Sequence, residues 1–248
     1  ANAFRGEDPR GTWTLAITDT VRADSGVLNS AELTVYGRDD GARTANDVHH
    51  FTDEFSATVG HDASRATIDD AGGTDWFDGA ALTSRVRLDL ANGRALIDGV
   101  DATILGVEHA VAGDGGDRLL GNGAANRLHG MRGDDTVTGR GGDDNVNGEA
   151  GDDILRGVDG NDTLRGGDGL DTLLGGNDDD LLVCGRGNDR AFGGNQNDEA
   201  RGAGGNDYLA GGQGDDALFG GSGEDVLRGE NGNDALQANE GRDTLYGG

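Results

Sequence analysis

The sequence predicts an all-β chain, with a right-handed parallel β-roll preceded by the remnant of a β-sandwich. Two observations carry this expectation. Fifteen nonapeptides run without a break from Ala112 to Tyr246 on the template G-G-x-G-x-D-x-U-x, where U is a large apolar residue. The first 37 residues have a different composition, with short runs of β-forming residues on either side of a turn signal. A register held over so many copies marks a repeat architecture, in which each unit buries its apolar face only against its neighbours.

Taken in order, Thr12-Trp13-Thr14-Leu15-Ala16-Ile17 reads as a strand and Leu33-Thr34-Val35-Tyr36 as a second, with Asp24-Ser25-Gly26 as a turn between them. Trp13 is the candidate core residue of this piece. Residues 38–59 read as a linker that opens on Asp39-Asp40-Gly41. Strand signals return over 60–111. Arg85-Val86-Arg87-Leu88-Asp89-Leu90 alternates, placing Val86, Leu88 and Leu90 inward. Asn92-Gly93 supplies a turn, and Ala95-Leu96-Ile97 is expected to pair back. This segment is expected to cap the first coil of the roll, since repeat arrays need their ends covered.

Residues 112–248 form the repeats. Position six is Asp in fourteen of the fifteen, the exception being Asn126. Position eight is Leu or Val in thirteen, with Ala191 and Ala200 in the others. Glycine occupies positions one and four in twelve copies each, and permits positive φ and close backbone approach. The first six residues are expected to turn and the last three to form a short strand. Two repeats then make one 18-residue coil, with repeat n stacked over repeat n+2.

Such stacking creates an electrostatic problem. Asp117, Asp135, Asp153, Asp171, Asp189, Asp207, Asp225 and Asp243 form one column. Asp144, Asp162, Asp180, Asp198, Asp216 and Asp234 form the other. At roughly 4.8 Å between strands, adjacent charges repel by about 0.9 kcal/mol even at the dielectric of water. Position five often adds another acid, as at Asp134, Asp143 and Asp152. A core of one apolar residue in nine is a poor counterweight to that and to the ordering entropy of glycine. Calcium reverses the sign, because it accepts six to eight oxygens in flexible geometry from carboxylates and turn carbonyls. Magnesium needs a tighter octahedron and dehydrates reluctantly. The fourteen aspartates are therefore the candidate calcium ligands, and the roll is expected to fold on binding multiple calcium ions. Copies with Asn126, Asp178 or Gln196 are expected to hold calcium more weakly.

Composition excludes other classes. The formal charge is −27, and all 20 basic residues are Arg. Nucleic acid and anionic membranes would be repelled. No apolar run approaches the roughly 18 residues of a membrane span, and no signal peptide opens the chain. Cys184 has no partner for a disulfide. His-Glu-x-x-His and Gly-x-Ser-x-Gly motifs are both missing. His49, His50, His61, His109 and His129 are scattered, and Cys184 reads as a passive replacement of a turn glycine. A solvated Gly-Asp linker would not keep an apolar register. An ice-binding face would need a threonine ladder that position seven lacks. No catalytic residue is identified.

The repeats resemble the RTX, or hemolysin-type, calcium-binding family. Asp70-Ala71-Gly72-Gly73-Thr74-Asp75 and Gly121-Asn122-x-Ala124-x-Asn126 resemble the segment leading into the β-roll of serralysin-type secreted proteins. At the other end, Phe4-x-Gly6-Glu7, Gly11-Thr12-Trp13-Thr14-Leu15, Asp19, Asp24-x-Gly26-x-Leu28 and Leu33-x-Val35-x-Gly37 are similar to the end of a proprotein-convertase P domain. That module is a jelly-roll sandwich following the catalytic domain of subtilisin-like serine peptidases. The resemblance implies a peptidase domain upstream, export from a Gram-negative cell by type I secretion machinery, and an extracellular location. The chain stops on Gly247-Gly248, two residues into a sixteenth repeat, and is read as a piece of a longer protein. The alternative is a calcium-stiffened spacer of a non-enzymatic adhesin.

Overall fold

The computed structural model describes residues 46–52, 67–69 and 72–248. The expected sandwich remnant at 1–37 lies outside the described residues. The chain divides into two units, 1–43 and 44–248, and all the described residues belong to the second.

Among the described residues every regular element is a strand. The lead-in contributes β1 (Val48–Thr52), β2 (Thr67–Asp69), β3 (Trp76–Ala81), β4 (Arg87–Asp89), β5 (Arg94–Ile97), β6 (Val100–Leu105) and β7 (His109–Val111). The repeats begin with β8 (Arg118–Leu120). From β9 (Arg127–Arg132) to β21 (Ala235–Glu240), six-residue strands start every nine residues, and β22 (Thr244–Tyr246) closes the series.

The strands alternate between two sheets. One holds ten strands in the order β1-β3-β7-β9 and then every odd strand to β21. The other holds twelve, β2-β6-β5-β4-β8 and then every even strand to β22. Repeat pairing is parallel at a spacing of 18 residues, as a two-repeat coil requires: Leu155 faces Leu173 and Leu164 faces Leu182. The core is a double column of position-eight side chains, fully buried from Leu119 to Leu227.

Expectation and structure differ in where the strands run. Each six-residue strand covers positions seven to nine and continues through positions one to three of the next repeat, leaving only positions four to six to turn. Position one therefore faces inward beside position eight. Positive φ at positions two and four supplies the bends that glycine accommodates, as at Gly176 (φ 128) and Gly169 (φ 152). Where other residues stand there, the backbone still adopts positive φ: Val158 at 101°, Asp178 at 75°, Gln196 at 70°.

The lead-in extends both sheets. Val86, Leu88 and Leu90 are buried, and β5 pairs antiparallel with β4, bringing Leu88 opposite Ala95. β4 in turn lies parallel to β8, with Leu88 beside Leu119. In the other sheet Phe77, Ala110 and Leu128 form one core column. Residues 48–52, within the stretch read as linker, form β1 and pair with β3, where Phe51 stacks on Phe77 at 4.5 Å.

Candidate metal centre

Every position-six aspartate is placed by the bend that precedes its strand, and each reaches across to a neighbouring rung. The Asp117 N–H donates to Oδ1 of Asp135 at 2.7 Å, and the Asp135 N–H to Oδ1 of Asp153 at 2.8 Å. This bond recurs down that edge through Asp171, Asp189, Asp207, Asp225 and Asp243. On the opposite edge it runs from Asn126 through Asp144, Asp162, Asp180, Asp198, Asp216 and Asp234. The structure thus brings the predicted aspartates together as two continuous ladders.

The second oxygen of each carboxylate defines the centre. Oδ2 of Asp135, Asp153, Asp171, Asp189, Asp207 and Asp225 is buried with no hydrogen-bond partner. The same holds for Asp144, Asp162, Asp180, Asp198, Asp216 and Asp234. An orphaned buried acceptor costs about 1–3 kcal/mol, and more when charged. The ends of the series differ. Asp117 accepts from Val86 N–H and Gly113 N–H with its two oxygens, and Asp243 is half-exposed in the last repeat.

Burial dominates the acidity of these groups. It pushes Asp135 and Asp180 up to about 8, Asp144, Asp153 and Asp198 to about 7, and Asp162, Asp171 and Asp207 to about 6. The backbone N–H on Oδ1 opposes this, and neighbouring acids add to it. A hard cation answers both burial and repulsion. Among the described residues no three His, Cys, Asp or Glu side chains cluster as a metal site. Carboxylates alone therefore do not complete a shell, and the remaining oxygens would be turn carbonyls, which suits calcium.

Glycine at position one makes room for the carboxylate. A Cβ on Gly139 would overlap the Asp144 carboxylate, and one on Gly157 that of Asp162. Cys184 stands at this position, in β15 (Leu181–Arg186) and not in a turn. It is completely buried, and burial pushes its thiol far up, so it is an inert core group.

Sequence reasoning missed two features. Position five forms an outer ladder of its own: Asn161 N–H donates to Asp143, Asp179 N–H to Asn161, Asn197 N–H to Asp179 and Asp215 N–H to Asn197. Asp and Asn alternate on that edge, so each of its acids has neutral neighbours, whereas on the other edge Asp134 and Asp152 are adjacent and the Asp152 N–H donates to Asp134. The second feature is Asp75. Fully buried, it accepts the Asp47 N–H on Oδ1 at 2.7 Å, and its Oδ2 has no partner. Its own N–H donates to Glu108, whose carbonyl accepts from the Asn126 side chain. The ladder thus continues into the lead-in. The signal was Asp75-x-Phe77 and Glu108-x-Ala110, the acid-x-apolar core of the repeat with few of its glycines.

Three of the histidines have partners in the structure. Nδ1 of His109 accepts the Arg127 N–H at 3.1 Å, and burial lowers its basicity. His50 pairs with Asp78 at 2.6 Å and His129 with Glu149 at 3.5 Å. His61 lies outside the described residues.

The family model for the RTX calcium-binding nonapeptide repeat (four copies) matches in overlapping segments that together cover residues 111–248, more than half of the chain. The chain belongs to the RTX calcium-binding repeat family. The proprotein convertase P-domain model matches residues 1–35. No curated protein matches the chain. The RTX match supports calcium binding and begins one residue before the first nonapeptide, so Asp75 and Glu108 lie outside it.

Proposed function

We propose that this chain is a calcium-dependent folding, stabilising and export module on the C-terminal side of a secreted bacterial subtilisin-like serine endopeptidase. The observation that carries the calcium part is the double column of twelve buried carboxylate oxygens without partners. Bound calcium supplies positive charge between rungs and takes up oxygen lone pairs that the fold leaves open. The position-six aspartates would hold it, from Asp117 to Asp243, together with turn carbonyls. Asp75 would serve in the same way within the lead-in. Each aspartate also holds the neighbouring rung through Oδ1, so ion binding and rung stacking are one event.

The P-domain match at the N-terminus supports the peptidase part, and any catalytic residues would belong to another part of the protein. Where calcium is scarce, as in the cytosol, carboxylate repulsion keeps the acidic chain open and threadable through a type I channel. Outside the cell the roll closes, and closure opposes return.

Far-UV circular dichroism during a calcium titration, with magnesium as control, tests the binding step. A cooperative gain of β signal with calcium alone is expected. A spectrum already complete in excess chelator would remove the basis for the export role. Secretion of a variant with several position-six Asp→Asn changes tests export itself. Undiminished secretion would leave the spacer of a non-enzymatic surface protein as the better reading.

A further inference from the structure

Both outward faces of the repeats carry arginine at positions seven and nine; the ten-stranded sheet has Arg127, Arg165 and Arg201 beside Glu199, whereas the same row of the twelve-stranded sheet is free of acids. At positions seven and nine from β8 to β22 that row carries Arg118, Arg156, Arg190 and Arg228 and no Asp or Glu. These arginines fall on every second strand: β8, β12 (Ile154–Asp159), β16 (Arg190–Asn195) and β20 (Val226–Asn231). Two strand spacings put them roughly 9.6 Å apart along the roll. Among the described residues, none of the four makes an ion pair, whereas Arg132, Arg140, Arg186 and Arg201 each do.

Aromatic rings lie between and beside them. Phe192 and Tyr208 are 5.7 Å apart, and Phe192 and Tyr246 are 36% and 49% exposed. The Arg228 guanidinium lies over the Tyr246 ring at 4.6 Å, which holds it flat and leaves its edge N–H groups for a carboxylate. At position three an amide ladder borders the stripe: Asn177 donates to Asp159, Asn195 to Asn177 and Gln213 to Asn195. Amides fixed in a row offer further donors and acceptors along a linear ligand.

Resting on the calcium-loaded roll of the proposed function, whose bound cations offset the net acidic charge, we propose that this face binds a linear acidic polysaccharide in which carboxylate-bearing sugars are separated by uncharged ones. Spacing argues against two other polyanions, and side-chain chemistry favours the sugar. A nucleic acid duplex places charges roughly 3.4 Å apart on each strand, far denser than the arginines. An extended acidic peptide repeats its side chains on one face at roughly 6.8 Å, again out of step. Sugar rings stack their C–H faces on Phe and Tyr, their hydroxyls suit amides and threonines, and a uronate pairs with the guanidinium fork. The stripe uses no residue of the calcium ladders.

The test is calorimetric titration of the calcium-saturated chain with hyaluronan oligosaccharides, and with neutral cello-oligosaccharides of equal length. Circular dichroism on the same samples separates loss of fold from loss of binding. The acidic ligand is expected to bind the intact chain, and the neutral one at least about tenfold more weakly. The triple variant Arg156→Gln, Arg190→Gln, Arg228→Gln should lose roughly tenfold in affinity with an unchanged spectrum. Phe192→Ser is a second variant, expected to weaken binding without altering charge. No binding by the folded chain, equal binding of both ligands, or an unaffected triple variant would each overturn the proposal. So would concentration-dependent self-association removed by these substitutions, which would make a second copy the occupant.

Discussion

A single carboxylate in this roll serves two demands that differ in sign. Oδ1 of Asp180 is satisfied by the Asp162 N–H, while its Oδ2 is buried without a partner. Asp180→Asn keeps the shape and removes the charge. Its effect should therefore reverse with conditions: about 1–3 kcal/mol less stable in saturating calcium, and no less stable than the parent in chelator. Denaturant midpoints under the two conditions check this, and destabilisation of equal size in both would refute it. Val158 offers a test free of metal chemistry. It is a β-branched residue at φ 101°, where Gly176 occupies the next rung at φ 128°. Val158→Gly should raise stability by about 1 kcal/mol. The mirror change, Gly176→Val, should destabilise more, because its Cβ would overlap the Val158 carbonyl.

Stacking turns these residues into elements with collective behaviour. Aspartates of both ladders have folded-state pKa values raised above the ordinary value of about 3.9, so they are weaker acids in the folded chain. Between about pH 4 and pH 8 the metal-free folded chain therefore holds more protons than the unfolded chain. Stability without metal must fall as pH rises through that window. Acidifying a chelator-treated sample from about pH 8 to about pH 5 is expected to restore β signal. In calcium the trend opposes it, since protons compete for the same oxygens, and apparent calcium affinity should drop as pH falls from about 8 toward about 6. Circular dichroism at fixed free calcium reads both, and a metal-free spectrum independent of pH would contradict the placement of the carboxylates. On one edge the alternating Asp and Asn of the outer ladder soften repulsion by another route, giving each acid neutral neighbours while keeping an acceptor for the backbone N–H of the adjoining rung.

At the scale of the molecule, the roll is a linear array whose core is one apolar side chain deep on each face. Coils depend on their neighbours, so ordering should spread cooperatively along the array. Cys184 reports on it from the middle, being wholly inaccessible in the folded chain. Its reaction with a thiol reagent should be fast in chelator and at least about a hundredfold slower in calcium, as protection by a folding equilibrium requires. Equal rates in the two conditions would show that calcium does not govern folding of the central coils.

Much of this was legible in the sequence because a nine-residue period is a local property. The fixed positions of Asp, Gly and Leu determined the rung, its inward residue, the pairing of repeat n with n+2, and the choice of a hard cation. Val86, Leu88 and Leu90 were readable as a buried set because alternation is also local. Other features depend on what lies one coil away. Position one turned out to be a strand position facing the core, because its glycine makes room for a carboxylate five residues on. The orphaned Oδ2 atoms exist only because each Oδ1 is taken by a neighbouring rung. Asp75 and Glu108 joined the ladder without the glycines of the repeat, through sheet pairing at β3 and β7. The arginine stripe arises because coiling brings every second repeat to the same face. The period resides in the chain, whereas which side chains meet across coils, and which oxygens are left without a partner, is set by tertiary stacking.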